Sequence, residues 1–84
     1  MTELDKGILK HLLAKTFDGA TTKEMAEVLQ LNKPETSGRT IVWRRLKRIQ
    51  NISKRMKGAP IVISERKRWV MNFDEFTFKE AKIE

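Results

Sequence analysis

The sequence predicts a mainly α fold carrying a small β-hairpin: an α+β layout of three helices followed by two short antiparallel strands. Three observations carry this. Before residue 58, three stretches repeat apolar residues at helical spacing, each preceded by a Thr or Ser able to cap it. After Gly58, two runs of β-branched and aromatic residues flank four charged ones, the pattern of a hairpin. The length agrees, since 84 residues with 39% hydrophobic content suffice for one domain, 1–84, with a thin core.

The first helix is expected over about 3–15. Thr2 and Asp5 form a capping box, and Leu4, Ile8 and Leu12, widened by Leu9 and Leu13, give its buried stripe. His11 flanks that stripe as a half-buried surface residue. Asp18-Gly19 marks a turn. Thr21 and Glu24 make a second capping box, which opens a helix over about 22–30 that buries Met25, Ala26 and Leu29, with Leu31 just beyond. Pro34 keeps Lys33 out of the helical region and ends it.

The third helix is expected over about 37–57, capped by Thr36 or Ser37 and closed by Gly58 in the left-handed conformation. Val42, Leu46, Ile49, Ser53 and Met56 fall within about 80° of one another at 100° per residue, a continuous buried stripe. Pro60 then introduces a strand at 61–64, with its mate at 69–73. Glu65-Arg66-Lys67-Arg68 lacks the glycine that tight hairpins favour and is expected to form a four-residue tip. Asp74 is placed to cap a short final helix stapled by Phe73 and Phe78, with Phe76 and Ile83 inward. Phe76-Thr77-Phe78 could instead prolong a strand.

Composition removes several functions. With no cysteine there is no disulfide, thiolate metal site or cysteine nucleophile, and one histidine leaves no basis for a histidine-built metal site or triad. No glycine-rich phosphate loop or nucleophile–base pair is present, so an enzyme is not expected, nor a cofactor, metal or small-molecule ligand. No apolar run is long enough for a membrane span. The acidic, polar start is unlike a signal peptide, and a soluble, cytoplasmic protein is expected.

The charge is segregated. Residues 37–68 hold eleven of the 18 Lys and Arg residues and a single acid, Glu65, while residues 1–36 and 69–84 are each slightly acidic. A solvated surface would mix signs to gain i,i+4 pairs, so this block points to a polyanion-binding face.

Three helices and a hairpin, with the charge on the third helix and the hairpin tip, resemble the winged helix-turn-helix family of DNA-binding domains, in the manner of a small archaeal or viral regulator. The resemblance covers about residues 3–73. It rests most on TIVWRRLKRI at 40–49 and on TKEMAEVLQL at 22–31, which precedes it. It implies that the second helix braces a recognition helix and that the hairpin forms a wing. Val42, Leu46 and Ile49 match the family's buried recognition positions, and Arg44 matches a position often used for DNA contact. The stretch between Leu31 and Val42 is about six residues longer than the tightest family turns, so the register of the recognition helix stays open by a turn.

The chemistry agrees with that resemblance. Opposite the buried stripe, Ser37, Thr40, Arg44 and Lys47 are the candidates for reading base edges in the major groove. Arg39, Arg48, Asn51, Lys54 and Arg55 are the candidates for phosphate contact. Arg66, Lys67 and Arg68 at the wing would follow the backbone or enter a narrow minor groove. Trp43, about 100° from the stripe, and Trp69 are read as residues of the core margin. The expected function is sequence-specific binding of double-stranded DNA, most simply as a transcriptional regulator. The competing reading is a winged-helix module that docks a protein partner within a nucleic-acid-associated assembly. RNA is left open. A homodimer through the first helix and the C-terminal segment is also expected, against a monomer in which Phe76 and Phe78 fold back on their own core.

Overall fold

A computed structural model describes residues 2–35 and 37–77. The order of elements is α1 (Glu3–Lys15), a single 3-10 turn (Thr16–Asp18), α2 (Thr22–Val28), α3 (Gly38–Lys57), β1 (Val62–Glu65) and β2 (Arg68–Met71). The α+β layout expected from the sequence is observed. Among the described residues, no helix is long and apolar enough to cross a membrane.

Both expected capping boxes form. Thr2 Oγ1 accepts from the Asp5 amide at 3.1 Å, and Thr21 Oγ1 accepts from the Glu24 amide at 3.0 Å. Each satisfies amides that have no partner within their helix. Helix α2 ends two residues earlier than expected. Gln30 turns left-handed, with φ 55°, and the Leu31 amide folds back to the Ala26 carbonyl at 2.9 Å. That six-to-one bond is a Schellman closure, and it carries Leu31 back against the core.

Helix α3 starts and ends within a residue of expectation, with Gly58 left-handed at φ 80°. Its cap differs. Ser37 occupies the cap position, but among the described residues its side chain makes no capping bond. Asn32 does the work from six residues away, its Oδ1 accepting from the Gly38 amide at 3.2 Å. Gly38 also lies directly against Ala26 of α2. A Cβ there would press on Asn32 Oδ1 and on the Ala26 methyl, so only glycine allows this approach.

The core gathers Ile8, Leu9 and Leu12 of α1, Met25 and Ala26 of α2, Val42, Leu46 and Ile49 of α3, and Val62, Trp69 and Met71 of the hairpin. Trp69 is buried, as expected. Met56 is a correction: it is 78% exposed, although it shares the angular stripe of Val42 and Leu46. Lys54, Arg55, Met56 and Lys57 are all exposed, so the last turn of α3 runs past the core.

The hairpin corrects the expected strand limits. Val62 pairs with Met71, Ile63 with Val70, Ser64 with Trp69 and Glu65 with Arg68. The tip is thus the two residues Arg66 and Lys67, not four. Both are left-handed, with φ 50° and 66°, the backbone of a type I′ turn. The twist of two paired strands favours that turn strongly enough to draw non-glycine residues into it. The ladder gains a pair at the tip and ends earlier at its base, where Asn72 takes over. The Asn72 amide donates to Ile61 O at 2.9 Å, and its Nδ2 donates to Pro60 O at 2.8 Å.

Ala20 adds a single bridge to the outer side of β2, exchanging two bonds of 2.9 and 2.8 Å with Trp69. Gly19 makes this possible. Its φ of 66° and ψ of −167° are accessible essentially to glycine alone, and a Cβ would collide with the Trp69 carbonyl and Val70. After Asn72 the chain turns. The Glu75 amide donates to Asn72 Oδ1 at 3.3 Å and the Phe76 amide to Asn72 O at 3.1 Å, so Asn72 rather than Asp74 organises this turn. Phe73 packs on Phe17, with ring centroids 4.8 Å apart. The expected partners Phe78 and Ile83 lie outside the described residues.

Candidate nucleic-acid interface

Helix α3 has two sides because its apolar residues fall on one. With Val42, Leu46 and Ile49 buried, the opposite side exposes Thr40, Arg44, Arg48, Asn51, Lys54 and Arg55, with Ser37 and Arg39 exposed at its start. Lys47 is half-buried at the border with the hairpin. Its Nζ donates to Gln50 Oε1 at 3.2 Å, and Gln50 Nε2 donates to Val62 O at 3.4 Å. A short polar chain thus runs from the cationic face to β1. Further along α3, Ser53 makes a second tie. Its hydroxyl donates to Ile49 O at 2.7 Å and accepts from the Ile61 amide at 2.9 Å. The one polar member of the expected apolar stripe holds the hairpin to the helix.

Among the described residues, no carboxylate pairs with Arg39, Arg44, Lys47, Arg48, Lys54, Arg55, Arg66 or Lys67. With Lys57, likewise unpaired at the end of α3, nine cations are therefore uncompensated on α3 and the hairpin tip among the described residues. Two other arginines of the basic block are used internally. Arg45 grips Asp5 with both arms, Nε to Oδ1 at 2.8 Å and Nη2 to Oδ2 at 2.7 Å, and also donates to Thr2 Oγ1 at 3.2 Å. This guanidinium holds the Asp5 carboxyl below its ordinary value, against the opposing effect of burial.

Arg68 behaves in the same way and departs from its expected place at the wing tip. It turns inward, donating to Asp18 O at 3.0 Å, to Gly19 O at 3.3 Å and to the Glu24 carboxylate at 3.2 Å. The capping carboxylate of α1 is thus completed by an arginine of α3, and that of α2 by an arginine of β2. The sequence alone offers Arg45 only as positive charge and Arg68 as a wing contact. The signal that could have found them was the pair of capping-box acids, each a buried or half-buried anion in need of a cation.

Trp43 is the second residue that departs from expectation. It is 52% exposed rather than set in the core margin. Its indole forms one wall of a shallow depression lined by Thr22, Ser37, Arg39 and Thr40. On the other flank of α3, Ile49, Ile52, Met56 and Ile61 line an apolar groove of about 270 Å³ rimmed by Arg48 and Lys57. His11 is half-buried, as expected, and its Nε2 has no hydrogen-bond partner among the described residues. Comparison of the chain with models of protein families, with curated proteins and with solved structures finds no match.

Proposed function

We propose that this chain is a sequence-specific double-stranded DNA-binding protein of winged helix-turn-helix type, most simply a transcriptional regulator. Helix α3 is the recognition helix in the major groove, and the Arg66-Lys67 tip lies on the backbone or in the minor groove. The single observation behind the reading is the set of nine cations on α3 and the tip that no carboxylate pairs with among the described residues. Such a face repels itself in the free protein, and a polyanion relieves that repulsion by releasing counterions.

Thr40 and Arg44 stand in the exposed N-terminal half of α3, the part of a recognition helix that meets base edges. Arg44 offers the fork that matches guanine O6 and N7. Arg48, Lys54 and Arg55 flank them as phosphate contacts. The polar chain from Lys47 through Gln50 to Val62 supports the pairing of helix and wing as one binding unit. A two-fold dimer would present two such helices to half-sites one helical turn apart.

The apolar groove beside Met56 favours a second reading, a module that docks a protein partner. A salt series separates the two. Neutralising about five phosphates predicts a log–log slope of affinity against salt of about −4.5 for duplex DNA. Absence of duplex binding at low salt, or binding insensitive to salt, overturns the DNA reading.

A further inference from the structure

The two tryptophans differ sharply in environment. Trp69 is 5% exposed between the core and Ala20, whereas Trp43 is 52% exposed on α3. Its helical neighbours one turn away are Arg39, Thr40 and Lys47 on the surface and Leu46 in the core, and Thr22 of α2 faces it across the depression. Trp43 leaves about half of its surface in water, amid cationic and hydroxylic side chains. That exposed apolar area becomes favourable only when something covers it.

Resting on the reading of α3 as the helix that enters the major groove, we propose that Trp43 is a specificity-determining residue that packs its indole on the 5-methyl group of a thymine. The chemistry of the groove narrows the choice. Guanine, adenine and cytosine show hydrogen-bonding groups there, and thymine alone adds an apolar one. An indole laid over polar base edges strips their water and, apart from its one N–H, gives nothing back. Over a thymine methyl it exchanges water for apolar contact on both sides. Trp43 precedes Arg44 directly, so a thymine read by the indole would lie within a step or two of the base read by the guanidinium.

The test uses the full chain and a duplex selected by affinity from a random pool. Each thymine of the site is replaced in turn by deoxyuridine, which removes the methyl and nothing else. At one position, wild-type affinity should fall about fourfold, the value of one buried methyl, while Trp43→Ala should be indifferent to that same replacement. Trp43→Phe should keep part of the sensitivity. Emission from Trp43 should change on binding in a chain whose other tryptophan is already buried. The near-ultraviolet signal of Trp69 checks that each variant is folded.

The inference is overturned if no uracil replacement weakens wild-type binding, or if every one that does weakens Trp43→Ala equally. It is overturned too if Trp43→Ala loses affinity uniformly across sequences, which would make the indole a backbone contact. A wild-type chain that binds no duplex at low salt fails earlier and overturns the functional reading on which this rests.

Discussion

Replacing Asp5 by Ala removes a carboxylate that serves two purposes at once. It completes the α1 capping box and receives both arms of Arg45, at 2.8 and 2.7 Å, with its side chain 9% exposed. Breaking a buried pair by deleting one partner costs about 3–5 kcal/mol. Arg45 keeps a quarter of its side chain in water, which lowers that to about 2–3 kcal/mol. Loss of the capping carboxylate at a helix N-terminus adds about 0.5–1 kcal/mol. The expected total is about 3 kcal/mol, or some 12–24 °C in Tm for a domain of this size.

Urea unfolding followed by Trp69 emission measures this directly. Arg45→Met combined with Asp5→Leu should recover most of the loss, because an apolar pair of similar volume needs no compensating charge. The pH dependence has a definite sign. Arg45 holds the folded carboxyl below its ordinary value of 3.8. Its contribution is therefore complete above that value and is lost as pH falls through the lower, folded one. Stability of the wild type should drop below about pH 4, and Asp5→Ala should lack that part of the drop. A variant within about 0.5 kcal/mol of wild type, with an unchanged acid profile, refutes the clamp.

Three further outcomes follow from the same geometry. Arg44→Ala should cost about 1–3 kcal/mol on the best DNA site and relax base preference, whereas Arg66→Ala should weaken all sequences alike and flatten the salt slope; competition binding on cognate and random duplexes separates the two. Lys67→Gly should stabilise the fold by about 1 kcal/mol in a thermal melt, because it relieves a left-handed lysine, while weakening DNA binding through the lost charge. Gly19→Ala should destabilise by at least about 3 kcal/mol, or prevent folding, since the backbone there is open essentially to glycine and β2 lies against it.

What could be read in the sequence was what is encoded locally. Thr2 with Asp5 and Thr21 with Glu24 announce helix starts within four residues, and both starts were legible to the residue. Gly58 announced the end of α3 in the same way. The features that were not legible depend on distant partners. Asn32 caps a helix from six residues away, and Arg45 and Arg68 reach capping acids 40 and 44 residues earlier in the chain. Met56 obeys the period of the α3 stripe, yet the core is shorter than the helix, and periodicity carries no information about where packing stops. The tip was misread because the usual glycine is absent. Strand pairing imposed the left-handed backbone on Arg66 and Lys67 regardless. Within the candidate site, the cationic face of α3 was evident from charge and period, whereas the inward turn of Arg68 and the exposure of Trp43 required the packed arrangement.

The two-residue turn also decides when the hairpin tip becomes ordered. A four-residue loop would reach its target still mobile, and each backbone residue fixed on contact would cost about 1–2 kcal/mol. Here the ladder runs to the Glu65–Arg68 pair, so the backbone beneath Arg66 and Lys67 is settled when the chain folds. Only two side chains are left to immobilise, at about 0.5–1.5 kcal/mol each. The strain of two left-handed residues is borne in the folding equilibrium, in return for a pair of cations held ready for whatever anion meets them.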